Sequence, residues 1–161
     1  MRLGSALLST ICLLLAGGGR AHEGGKQDDE LAKKDLAALQ GSWVIVGKEY
    51  MGKKATQEEL AELTGVMVIK GSTITQSNEE MGKKVVVSEA TVKLNPAAKP
   101  KAFELTFTDG QSKEKAVLGI YEVEGDALKA CFSFEGDKRP TEFKSKAGSA
   151  VLVMTYKRMS K

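Results

Sequence analysis

Histidine is almost absent from this chain: one residue of 161, His22, carries an imidazole. A Ser-His-Asp triad or a Cys-His pair on a body beginning after that residue is therefore excluded. A copper brace needs a second histidine, and a zinc site needs more Cys and His ligands than remain. Cysteine is nearly as scarce. Cys12 sits in an apolar leader, so Cys131 stays alone once the leader is cleaved, and no internal disulfide can form. With no base to activate it, Cys131 reads as a structural thiol. An excess of one charge is lacking too: without Arg2 and Arg20, 22 of the 24 basic residues face 21 acidic ones. That balance gives no support to nucleic-acid binding. Carboxylates alone can do acid–base chemistry, but no spacing of Asp and Glu here demands it. The expectation is a non-enzyme without cofactor or metal.

The long apolar run of a membrane helix is also missing. Residues 6–16 are apolar, well short of the about 20 residues a span requires. With Arg2 ahead and small residues behind, they read as the core of a secretory signal, leaving a mature chain with no membrane span. The expected organisation is a signal over 1–21, a flexible glycine-rich tether over 22–30 and one domain over 31–161. Its expected address is periplasmic or extracellular, and its expected state is monomeric.

What the chain does have is periodicity. Asp28, Asp29 and Glu30 open a short helix in which Ala32, Leu36 and Leu39 form one apolar stripe, set to pack near Trp43. After a strand over 43–50, Thr56-Gln57-Glu58-Glu59 has capping-box spacing and starts a brief helix ending near Leu63. A two-residue period then runs through 66–70, 73–77, 85–94, 102–108, 117–124, 127–134 and 150–158. A two-residue turn at Gly125-Asp126 pairs Val123 with Leu128, Tyr121 with Ala130, Gly119 with Phe132 and Val117 with Phe134, all on one face. The other face sets Glu122 against Lys129 and Ile120 against Cys131. Phe132 is placed to cover the bare backbone of Gly119. Eight antiparallel strands with one apolar face must stack as a sandwich or close, and short sequential hairpins favour up-and-down closure, which also removes exposed edges. The fold class is thus all-β: an eight-stranded antiparallel up-and-down barrel with a short N-terminal helix and one short helix after the first strand.

Gly41-Ser42-Trp43 heads that series, and a basic residue stands near the end of its last strand. In this the chain resembles the lipocalin (calycin-type) group. The resemblance implies that Gly41 turns the chain into the first strand, that Trp43 plugs the closed end and that a final-strand arginine packs over it. Arg158 is the match, and strand phase decides between it and Lys157. A closer resemblance rests on 35–36, 39–43, 95–96, 99–101, 108–110, 118–122 with 125–129, 131–132 and 139–143. Together these resemble a family of exported lipocalin-like domains expanded in planctomycetes. That likeness implies fold and export and adds no chemistry.

In a barrel of this size side chains either fill the interior or leave room for one small ligand. Phe103, Phe107, Tyr121 and Phe132 are the candidate ligand-binding residues, for a small apolar or amphipathic molecule held by burial plus a contact such as the Tyr121 hydroxyl. The alternative is a cell-envelope interaction or structural module with a filled barrel and no ligand. In the rim loop over 139–143, Pro140 fixes the backbone, Arg139 is expected to pair with Glu142, and Phe143 returns to the core. Lys53-Lys54 and Lys83-Lys84 follow glycines and read as solvated hairpin tips.

Overall fold

One sheet holds every strand, and its pairing leaves the barrel without a free edge. The computed structural model describes residues 23–109, 116–134 and 138–160; the expected signal and His22 lie outside them. In chain order the elements are α1 (Glu23–Leu39), β1 (Gly41–Tyr50), β2 (Lys53–Lys54), α2 (Gln57–Ala61), β3 (Val66–Lys70), β4 (Thr73–Glu80), β5 (Lys83–Asn95), β6 (Ala102–Phe107), β7 (Ala116–Glu124), β8 (Ala127–Ser133) and β9 (Val151–Arg158). From β3 to β9 each strand pairs antiparallel with the next, and β1 pairs with β3 on one side and β9 on the other. Eight strands thus close an up-and-down barrel, as the alternation predicts. The short β2 is a flap on the far end of β1, through Glu49↔Lys54 and Tyr50↔Lys53.

Up-and-down order gathers the start of β1, the turns at Gly71 and Gly125 and the end of β9 at one end of the barrel. Helix α1 covers that end. Its Leu39 is buried, and its Asp35 reaches Lys101 and Tyr121 beyond β5. Strand alternation sends Trp43, Phe103, Tyr121, Leu128 and Tyr156 into one interior cluster. The opposite phase builds a second, smaller cluster of Ile120, Cys131 and Val153 outside the barrel wall, roofed by Phe143 and Val151. Cys131 therefore faces away from the lumen opposite Ile120, in the predicted register.

Local chemistry explains the boundaries. Thr56 caps α2: its hydroxyl accepts from the Glu59 amide at 3.2 Å, and the Glu59 carboxylate accepts from the Thr56 amide at 2.7 Å. The turn before β8 needs the left-handed conformation that Gly125 supplies at φ 55. Four expectations are changed or refined. Residues 23–30 are helical, not a tether; α1 runs on through the acids, aided by a Glu30–Lys33 pair at 2.8 Å. The β7–β8 register holds from Glu124↔Ala127 to Gly119↔Phe132 but stops before Phe134, which is 59% exposed because β8 ends at the open rim. Phe103, from the strand on the other side, fills the space directly over Gly119: a Cβ there would overlap the Phe103 ring and meet the Cys131 carbonyl at 2.8 Å. Finally, β4 and β5 extend past the barrel as an arm, leaving Val85, Val86 and Val87 exposed.

Candidate functional site: the barrel lumen

The floor is built first. Trp43 is fully buried and its indole N–H donates to the Leu39 carbonyl at 2.9 Å. Arg158 is its cross-strand partner on β9, with the guanidinium carbon 4.1 Å from the ring centre. Strand phase thus selects Arg158 over Lys157, which is exposed. The same guanidinium donates to the carbonyls of Ala38, at 2.6 Å, and Gln40, and its Nε donates to Asp126 at 3.0 Å. It satisfies carbonyls that the end of α1 leaves open. Gln40 completes the seal by exchanging hydrogen bonds with both backbone groups of Gly71, at 2.7 and 3.0 Å.

On α1, Asp35 accepts a hydrogen bond from the Tyr121 hydroxyl at 2.6 Å and forms an ion pair with Lys101 at 2.7 Å. The Tyr121 hydroxyl therefore gives its proton to α1, which leaves its acceptor side for a ligand. Burial, then the bond to Asp35, pushes its pKa far upward.

Above the floor lies a cavity of about 200 Å³. The structure brings Phe103, Phe107, Tyr121 and Phe132 together on its wall. Phe103 packs against Tyr121 and Phe132 with ring centres 6.4 and 6.3 Å apart, and Phe134 meets Phe132 edge-on at 5.3 Å near the mouth. Aliphatic side chains such as Val92, Leu105 and Leu128 complete the wall. No Lys, Arg, Asp, Glu or His lines it among the described residues. Three further polar side chains do: Gln76, Ser88 and Tyr156. Residue-type reasoning passed over these three, although alternation points to them. Gln76 follows Ile74 in phase, Ser88 precedes Ala90 and Val92, and Tyr156 stands two residues before Arg158.

The rim loop works on the outside of the wall. Arg139 does not pair with Glu142. Its guanidinium donates to the carbonyls of Phe103 and of Gly119, the latter at 2.7 Å, because the cross-strand pair Phe103↔Gly119 presents both. Glu142 pairs with Lys146 at 3.0 Å, and that ammonium holds its carboxyl below the usual range. Phe143 packs on the outer cluster, with the Lys129 ammonium 5.2 Å from its ring. Ser145 straps the loop to β1, taking its amide to Glu49 at 2.9 Å and accepting from the Gly52 amide at 3.2 Å. Burial of Cys131 raises its thiol pKa to about 11, so it is no nucleophile near neutrality.

Among the described residues no His, Cys, Asp and Glu are grouped to hold a metal ion, and no helix is long and apolar enough to cross a membrane. Fold and lumen together define a floored antiparallel β-barrel with an apolar internal cavity. Compared with protein-family models, curated proteins and solved structures, the chain matches none.

Proposed function

We propose that this is an exported, lipocalin-like barrel that carries a small apolar or amphipathic molecule in its lumen, without catalysis. The observation that carries the reading is the cavity of about 200 Å³ walled by Phe103, Phe107, Tyr121 and Phe132, with no charged side chain on its wall among the described residues. A buried apolar surface of this kind gains about 25 cal/mol for each Å² it covers on a ligand, and the hydrophobic effect needs no directional partner. Space of this size also weighs against the filled-barrel module. Export rests on the leader-like residues 1–21.

Native mass spectrometry of protein recovered from its own envelope or extracellular fraction tests this. The expected outcome is a reproducible non-covalent adduct that Phe103→Trp, which shrinks the cavity, removes. Bare protein in every preparation, with no uptake of added apolar probes, overturns the carrier reading.

A further inference from the structure

The lumen carries a polar signature that the carrier reading leaves unused. Tyr156 is 8% exposed and lines the cavity, yet its hydroxyl has no hydrogen-bond partner among the described residues. Tyr121, on the same wall, gives its hydroxyl to Asp35. Tyr156 thus keeps a donor and an acceptor free beside the cavity, and since no fully buried side-chain nitrogen or oxygen among the described residues lacks a partner, that hydroxyl opens onto accessible space. Its depth follows from register: it pairs with Ile45 on one side and Leu128 on the other, two residues before the Arg158 that sits on Trp43. Higher in the barrel, Gln76 and Ser88 are directly opposed across β4 and β5, so both side chains share one face. Neither has a hydrogen-bond partner among the described residues.

We propose that the lumen selects an uncharged amphiphile, whose hydroxyl or carbonyl is bound by Tyr156 near the floor while its hydrocarbon body lies against Val92, Phe103 and Leu105. This inference rests on the carrier reading and narrows it. An ionised head at that depth would lose its water and find no counter-charge on the wall. A pure hydrocarbon would leave the Tyr156 hydroxyl unpaired. Since a cavity of 150 Å³ takes benzene, one of about 200 Å³ suits a molecule of roughly eight to ten heavy atoms. Gln76 and Ser88 offer such a molecule a second neutral contact toward the mouth.

Calorimetric titration of the full chain with 1-octanol, octanoate and toluene at neutral pH separates the possibilities. The wild-type protein is expected to bind 1-octanol at least about tenfold more tightly than octanoate. Tyr156→Phe is expected to weaken 1-octanol about fivefold, the worth of one hydrogen bond, and to leave toluene unchanged. Octanoate binding as tightly as 1-octanol overturns this inference and leaves the carrier reading standing. So does a Tyr156→Phe variant that binds 1-octanol like the wild type. If neither 1-octanol nor toluene binds, the carrier reading falls and takes this one with it. The comparison of 1-octanol with octanoate needs only the wild-type chain, so it survives any folding defect of the variant.

Discussion

Arg158 joins more parts of this molecule than any other side chain described above. It stacks on Trp43, closes the carbonyls of Ala38 and Gln40 and holds Asp126 of the β7–β8 turn. A lysine in its place keeps the charge but loses the flat fork that makes these contacts together. Arg158→Lys is expected to cost about 2–3 kcal/mol, read as a lower urea midpoint with unchanged slope. Asp35 and Tyr121 form a second such pair. A double-mutant cycle over Asp35→Asn and Tyr121→Phe is expected to return about 1.5–3 kcal/mol of coupling, since the acceptor is charged and nearly buried. Additive single effects would show that α1 is held by apolar packing alone. Gly119 has the narrowest tolerance: Gly119→Ala must displace the Phe103 ring and is expected to destabilise by about 1–3 kcal/mol in the same assay.

At the scale of elements, what the sequence disclosed depends on how local the cause is. The Thr56 capping box, the Gly125 turn and the inward phase of Phe103, Leu105 and Phe107 each follow from neighbours a few residues apart, and all could be read in advance. Arg139 could not: its partners are carbonyls on β6 and β7, set by a pairing far away in sequence. Tyr121 was legible as an inward side chain but not as one already bonded to α1, because Asp35 lies 86 residues away. Two hairpin tips repeat Met-Gly-Lys-Lys, and each two-residue turn needs positive φ at both central positions, so Met51 and Met81 are held in the left-handed conformation at φ 51 and 50, which methionine adopts only under strain. Met81 is fully exposed, so nothing offsets the cost. Met81→Asn or Met81→Gly is expected to raise the melting temperature, corresponding to about 0.5–1 kcal/mol, and calorimetry would detect it. An unchanged or lower melting temperature would mean that the methionine makes contacts worth more than its strain.

For the whole molecule, the buried phenols and thiol set a limit on the alkaline side. Burial raises Tyr156 from 10.0 to about 12 and Cys131 from 9.0 to about 11, and Tyr121 moves the same way. The unfolded chain therefore loses these protons first as pH rises, and the native state retains more of them. Their contribution is fully present below about pH 9 and is lost progressively to about pH 12. The urea midpoint is expected to fall over that window, and to fall less steeply in Tyr156→Phe and in Cys131→Ala. A midpoint flat to pH 12 would contradict the burial of these groups.

The ladder that shuts the cylinder joins Trp43 to Arg158, so the first strand made has to wait for the last. While the chain is being synthesised, residues 41–50 have one edge satisfied by β3 and the other open until 151–158 emerge. A nascent polypeptide of this design cannot shut its cylinder until residues 151–158 are available to pair. A chain stopped at Ala150 should accordingly remain digestible by protease under conditions in which the full-length protein resists.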